Sequence, residues 1–321
     1  SLILFTDEEI WHKLNPEKMP QLKAAFNTDD FALLYAAEEN FKNIYEHLDE
    51  SFNSTFKNGF GKEDVIFKVD DDNLNDLAII NYTSGTTSAP KGVMLSYRNV
   101  SASVEFAHTH IPCHKGDTIV SMLPMAHIYG LVFEFIYPLT GGVCIYFLGK
   151  SPAPSLLLKA MKTVKPYLVL TVPLVMEKIY KSTIKPAISK PAIKILSHIP
   201  VLNKVVFNKI RSSLDNAFGG NVQEYIMGGA ALNPEVEKCF HKIGLHYTVG
   251  YGMTEAAPLL AYEHWNHYAQ GSCGKKVDCA QIRIDSEDQH KVAGEILAKG
   301  DNICLGYYKN EAATAAAFTE D

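Results

Sequence analysis

Residues 82–95 read YTSGTTSAPKGVML, and the reading of this stretch decides the reading of the chain. The apolar run LAIINY (77–82) precedes it, and GVML (92–95) closes it. Thr83, Ser84, Thr86, Thr87 and Ser88 place five hydroxyls in six positions. Gly85 permits positive φ and close approach by a guest. Successive N–H groups in such a turn form an anion-binding nest. Lys91 adds a mobile cation, and Pro90 stiffens the approach to it. All these groups donate hydrogen bonds to oxyanions, so the expected guest is a polyphosphate. A Ser/Thr-rich surface turn would account for any one of these residues but explains the string poorly. A Walker A loop is excluded, because no Gly precedes Lys91 and Gly92, not Ser or Thr, follows it. Since the loop leaves a strand, it is expected at the carboxyl end of that strand, where open α/β sheets bind ligands.

Around it, strand-like runs alternate with helical patterns. ALLYAA (32–37), DTIVSML (117–123), GVCIYFL (142–148) and YLVLTV (167–172) are short β-branched or aromatic runs. ENFKNIYEHL (39–48) and SLLLKAMKTV (155–164) have helical spacing. Near-continuous apolar strands between helices predict an α/β fold with parallel sheets covered on both faces. Ser96 is the expected N-cap of the helix after GVML. Thr6 and Glu9 form a T-x-x-E capping box before EEIWHKL. LILF (2–5) reads as a buried strand. After Gly271 the pattern changes: QIRIDS and GEILAKGDNICLGYY alternate with period two, which predicts a smaller antiparallel β unit. The expected division is an α/β portion over 1–270 and a β subdomain over 271–321.

Composition sets the outer bounds. A chain of 321 residues with 47% hydrophobic and 21% charged residues can bury a large core. A net charge of −6 argues against a nucleic-acid partner, which calls for a basic surface. Six cysteines without a C-x-x-C pair point to thiols in a reducing, intracellular compartment rather than to bridges or a metal site. No secretory signal is visible. The best apolar stretch, GLVFEFIYPL (130–139), is interrupted by Glu134 and Pro138 and is too short to span a bilayer. The expected location is cytoplasmic. Charge is uneven: residues 159–211 carry ten Lys and one Arg against the single Glu177. Either lysine stems lie over apolar surface on a solvated helical face, or the segment makes peripheral contact with acidic lipids at the inner membrane surface.

Four further motifs accompany the opening stretch: PMAHIYG (124–130), GGAAL (228–232), GYGMTEAAP (250–258) and GEILAKGDNICLGYYKN (294–310). In order and spacing the five resemble the signatures of the acyl-adenylate-forming superfamily of AMP-binding enzymes. The matching region runs from about Asp76 to the end, and residues 1–75 match only in general character. One departure is Ser88, which stands where the third glycine of [ST]-S-G-[ST]-T-G-x-P-K-G usually sits. The resemblance implies a layered αβαβα fold with two mostly parallel sheets and a small, distorted barrel-like unit near the C-terminus. It implies the joining of a carboxylic acid to ATP, giving acyl-AMP and pyrophosphate, then thioester formation with CoA.

Residue roles follow from the same resemblance. Thr83, Ser84, Gly85, Thr86, Thr87, Ser88 and Lys91 would wrap the β- and γ-phosphates. Glu255, with Thr86, would hold Mg²⁺, and Thr254 would donate to the α-phosphate. Tyr251, beside Gly252, would offer a flat face to adenine, while Gly228, Gly229 and Ala230 let the ring approach backbone on its other side. His127 would touch the carboxylate or α-phosphate. The implied catalytic set is His127, Thr254, Glu255 and Lys91. Taken singly, His127 suits a core histidine, Glu255 a helix-end carboxylate and Tyr251 a packing residue; the motifs carry the functional reading. Gly294 and Glu295 mark a strand start.

The family's T-G-D segment and C-terminal lid are expected past Asp321. The chain is therefore expected to be a large domain cut at both ends, without the lid, binding ATP weakly and turning over little. The long insertion between VPLVMEKIY (172–180) and VQEYIMGGAAL (222–232) resembles long-chain fatty-acid–CoA ligases. A long acyl tail suits an apolar tunnel, because each buried CH₂ contributes about 0.8 kcal/mol. The implied partners are fatty acid, ATP and CoA. Three other readings stay open: transfer to a carrier protein, a non-catalytic nucleotide-binding module, and a membrane-surface protein using the lysine-rich segment.

Overall fold

A computed structural model describes residues 3–64, 73–83, 90–149, 153–196, 199 and 202–319. Contacts divide the chain into two units, Ser1–Asp71 and Asp72–Asp321.

In the first unit, strand β1 (Ile3–Thr6) pairs in parallel with β2 (Ala24–Asn27), which pairs antiparallel with β3 (Leu33–Ala36). Helix Glu39–Glu46 follows where the spacing places it. Two expectations fail here. Ile3 and Phe5 are 51% and 56% exposed, because the pleat turns both to one face and leaves Thr6 as the buried member. The capping residue is Asp7, not Thr6. Thr6 is held in the ladder opposite Asn27, so the next carboxylate accepts from the Ile10 N–H at 2.7 Å. The helix it opens is short, Glu8–Trp11.

The second unit begins with a hairpin. Strands β4 (Leu77–Thr83) and β5 (Lys91–Ser96) are antiparallel, with Tyr82 opposite Gly92 and Thr83 opposite Lys91. The hydroxyl-rich loop therefore closes a hairpin rather than leaving the end of a parallel strand. The connection is too short for anything else, since a parallel crossover takes a dozen or more residues. Ser84, Gly85, Thr86, Thr87 and Ser88 lie outside the described residues. Ser96 caps helix Tyr97–His110 as expected, in a reciprocal pair with Asn99. Asn99 also donates to the carbonyls of Asp301 and Ile303 at 2.8 and 2.7 Å, tying this helix to a turn two hundred residues away in sequence.

Strands β6 (Thr118–Ser121), β7 (Cys144–Phe147), β8 (Leu168–Thr171), β9 (Glu224–Met227) and β10 (Tyr247–Val249) form a parallel sheet in the order β10-β9-β8-β6-β7. Successive side chains enter different cores. Ile119, Leu168, Leu170 and Ile226 join one cluster with Val104 and Phe133. Val120, Val169, Tyr225 and Met227 join another with Leu157, Met161 and Phe240. Each face of the sheet is thus sealed by helices, and this is why strands such as LVLT are buried at every position.

The remaining strands are antiparallel. β11 (Tyr251–Gly252), β12 (Leu259–Tyr262) and β13 (Lys275–Lys276) form one sheet, and β14 (Ala280–Asp285) pairs with β15 (Glu295–Gly300). β16 (Gly306–Tyr307) adds to the edge of β5. The antiparallel character expected after Gly271 holds. A second parallel sheet and a closed barrel are not found among the described residues; hairpins stand in their place. No described helix is long and apolar enough to cross a membrane, and all six cysteines are free thiols.

Candidate functional site

Strand order places the site. β7 lies on one side of β6 and β8 on the other, so the connections from β6 diverge and leave a crevice at the carboxyl ends of the strands. The residues just past four of those ends, Leu123-Pro124, Val172, Gly228-Gly229 and Gly250, line one cavity of about 370 Å³. Tyr251, Gly252 and Thr254 form a further wall, and His127 and Tyr129 come from the segment after β6. A second cavity of about 680 Å³ shares Leu123, Pro124, His127 and Val172 with the first and is otherwise largely apolar, with Met122, Leu148 and Val175.

Six of the residues singled out by sequence therefore meet at one cavity: His127, Gly228, Gly229, Tyr251, Gly252 and Thr254. His127 is exposed and touches both cavities. Its N–H donates to the Pro124 carbonyl at 3.0 Å, and its own carbonyl accepts from Leu131 at 3.0 Å, which fixes the turn that carries it. Gly252 is required by packing, because a Cβ there would run into the Pro258 carbonyl. At Gly228 a Cβ would sit 3.2 Å from the ring of Tyr129. Gly229 adopts φ +83°, the left-handed region, with no neighbour nearer than 3.9 Å to its missing side chain. Ala230 is exposed and does not line the cavity.

Thr83, Lys91 and Glu255 lie off that wall and belong to an adjoining cluster. The Lys91 ammonium stands 4.9 Å from the ring centroid of Tyr307. The Tyr307 hydroxyl donates to Glu255 Oε1 at 2.8 Å. Burial, and then this bond, push the Tyr307 hydroxyl well above its ordinary range, so it remains a donor. Backbone bonds strap the three pieces together: Cys304 to the Glu255 carbonyl at 2.8 Å, Leu305 to Met94 at 2.8 Å, and Tyr308 to Gly92 at 2.7 Å. Thr254 and Glu255 are adjacent in one short turn, so the cavity and the cluster meet at that peptide. Tyr307 was not singled out by sequence; the G-Y pair inside GEILAKGDNICLGYYKN was the available signal.

Glu134 is a second residue that sequence reading missed. It sits in a π-helical turn, Leu131–Ile136, and is fully buried. Its Oε2 accepts from the Ser121 hydroxyl at 3.0 Å and from the N–H groups of Met122 and Leu123 at 2.9 and 2.8 Å. It thereby holds the turn that brings Leu123 and Pro124 to both cavities. Burial raises its pKa from 4.5 to about 7, against the lowering effect of those three bonds. Its Oε1 is buried without a hydrogen-bond partner.

Among the described residues no three His, Cys, Asp or Glu side chains converge on a metal position. A carboxylate beside a cation would suit an ion that arrives with phosphate ligands. Mg²⁺ suits that donor set, since it keeps water and phosphate oxygens and needs only one or two carboxylates. Glu255 is the described carboxylate at that place.

A parallel sheet opening on a cavity at its switch point, beside an antiparallel hairpin, defines an open α/β domain with a candidate ligand cavity. Residues 4–308 match the AMP-binding enzyme family, and the chain belongs to that family. Long chain acyl-CoA synthetase 6, peroxisomal, of Arabidopsis thaliana is 30% identical over 276 residues, covering 77% of this chain and 38% of that protein. Long-chain-fatty-acid–CoA ligase 3 of Saccharomyces cerevisiae is 31% identical over 301 residues, covering 84% and 42%. The chain thus spans about two-fifths of the length of these curated relatives. Among solved structures, ATP-bound MatB from Rhodopseudomonas palustris shares the fold with a TM-score of 0.70 at 21% identity, covering 100% of this chain and 55% of that one.

Proposed function

We propose that the full-length protein is a long-chain fatty-acid–CoA ligase. In the first step a fatty carboxylate oxygen attacks the α-phosphorus of ATP and displaces pyrophosphate. In the second the CoA thiol attacks the acyl-adenylate carbonyl and releases AMP. The observation that carries this reading is the junction at Thr254-Glu255, where a cavity lined by His127 and Tyr251 adjoins the Lys91–Tyr307–Glu255 cluster.

The roles divide along that junction. Lys91 and the loop from Thr83 through Ser88 neutralise and orient the β- and γ-phosphates. The Thr254 hydroxyl donates to the α-phosphate, and Tyr251 packs against adenine opposite Gly228 and Gly229. Glu255 and Thr86 would hold Mg²⁺, which would supply charge neutralisation at the phosphate oxygens. His127 touches both cavities and donates to the carboxylate or the α-phosphate as two anions are forced together. The second, largely apolar cavity gives room for the acyl tail, and the names of the relatives favour a long one.

The test is thioester formation by the full-length protein from palmitate, ATP, Mg²⁺ and CoA, with hydroxylamine trapping of the acyl-adenylate. Acyl-CoA and palmitoyl hydroxamate are expected. Hydroxamate without acyl-CoA, together with acylation of a carrier-protein thiol, would favour carrier transfer instead.

The same reading puts the protein in the cytoplasm, in peripheral contact with an anionic inner membrane surface. Support comes from helix Leu202–Ala217 and the segment before it. Ile195, Leu202 and Val205 are exposed beside Lys204 and Lys209, and no acidic residue occurs between Lys178 and Leu214. Co-sedimentation with anionic vesicles that persists at high salt is the expected result; loss of all binding at high salt would mean plain charge screening.

A further inference from the structure

Tyr307 connects two residues of opposite charge that the functional reading assigns to different parts of one ligand. Its backbone is pinned from several sides. It pairs opposite Val93 at the edge of β5, and its N–H donates to the Thr314 hydroxyl at 3.0 Å. The residue two before it leans on the same strand through Leu305 N–H to the Met94 carbonyl. The side chain is 8% exposed, so its ring has little room to turn.

From that fixed base the two ends of the side chain do different things. The hydroxyl meets Glu255 Oε1 at 2.8 Å, a charge-assisted bond of the strong kind. No other side chain hydrogen bond to Glu255 is found among the described residues. The ring face lies under the Lys91 ammonium at 4.9 Å, within cation–π range. A tyrosine kept only for core packing would need neither contact. Lys91 ends the hairpin loop, and Glu255 follows Thr254 at the cavity wall, so one aromatic side chain sets the spacing between them.

We propose that Tyr307 is a positioning residue that locks Glu255 and Lys91 into a single recognition unit for a metal-bound polyphosphate. The hydroxyl restrains one carboxylate oxygen and leaves the other for the ion. The ring holds the ammonium near the phosphates before the nucleotide arrives. This rests on the assignment of Lys91 to phosphate and Glu255 to Mg²⁺ made above.

The experiment measures equilibrium binding of a fluorescent ATP analogue to the full-length protein, with Mg²⁺ titrated and in excess EDTA, alongside melting temperature. Tyr307→Phe keeps the ring and removes the hydroxyl. The Mg²⁺ midpoint is expected to rise about tenfold, the scale of one lost charge-assisted bond. Affinity in EDTA should hold, and melting temperature should fall only by the few degrees expected of one lost hydrogen bond. In a Glu255→Gln background the same change should shift the midpoint no further. Tyr307→Leu, which also loses the ring, should weaken binding in EDTA as well, and not in a Lys91→Met background.

A Tyr307→Phe protein with an unchanged Mg²⁺ midpoint would overturn the proposal while leaving the nucleotide site intact. So would an effect that adds to Glu255→Gln, or one seen equally in EDTA. Absence of Mg²⁺-dependent nucleotide binding in the unsubstituted protein would remove the functional reading, and this inference with it.

Discussion

Replacing Glu134 by Gln separates the charge of this buried group from its shape. The carboxyl pKa is raised from 4.5 to about 7 in the folded chain. The folded state therefore holds the proton more tightly than the unfolded state. The stability it contributes is complete below pH 4.5 and is lost as pH rises through 7. At 1.36 kcal/mol for each tenfold change in proton affinity, this corresponds to about 3 kcal/mol, most of it falling between pH 5 and pH 8.5. Gln can still accept from Ser121, Met122 and Leu123 through its carbonyl, and its amide nitrogen takes the place of the unpartnered Oε1. That unmet amide costs about 1 kcal/mol at any pH. The Glu134→Gln protein should thus gain about 2–3 kcal/mol on the unsubstituted protein as pH rises from 5 to 8.5. At about 2–4 °C per kcal/mol, the difference in melting temperature should move by about 5–10 °C. Scanning fluorimetry of both proteins at pH 5, 7 and 8.5 measures it, and other titrating groups cancel in the difference. A gap that stays constant with pH, or that moves against Gln at high pH, would refute the reasoning.

Further changes probe other joints. Asn99→Ala removes half of the Ser96–Asn99 cap and both bonds to the 301–303 turn, and should cost about 2–3 kcal/mol in denaturant unfolding; no change in midpoint would mean the turn is held elsewhere. Gly252→Ala forces a Cβ against the Pro258 carbonyl, so it should destabilise by about 1–3 kcal/mol and abolish nucleotide binding, read by thermal shift with and without Mg-ATP. Lys91→Ala and Glu255→Ala should each weaken Mg-ATP binding at least tenfold by calorimetry, since each removes a charge-assisted contact; undiminished binding by both would undo their assignment.

Local order is legible in this sequence, and long-range order is not. YLVLTV could be read as a buried strand because every position is apolar or β-branched, and its central LVLT is buried throughout. The hairpin was misplaced because a strand followed by a glycine-rich loop looks the same at the end of a parallel strand; only the short connection tells them apart. Thr6 and Asp7 compete for one cap, and the winner depends on whether β1 pairs with β2, each residue with a partner twenty-one positions on. Glu134 registered as an interruption in an apolar run, because nothing in GLVFEFIYPL announces three donors at Ser121, Met122 and Leu123. Five motifs could be ordered along the chain, yet the sheet order that gathers four of the strand ends around one crevice has no local signature. Tyr307 stayed hidden for the same reason, its partner Glu255 lying 52 residues away.

The central claim is that a nucleotide triphosphate and a carboxylic acid meet at the Thr254-Glu255 junction. Acid-dependent exchange of labelled pyrophosphate into ATP by the full-length protein tests it most directly, across fatty acids of increasing chain length. Exchange that requires Mg²⁺, rises toward long chains and falls away in Lys91→Ala and Glu255→Ala is the predicted result. No exchange with any carboxylic acid, from protein that still binds Mg-ATP, would contradict it.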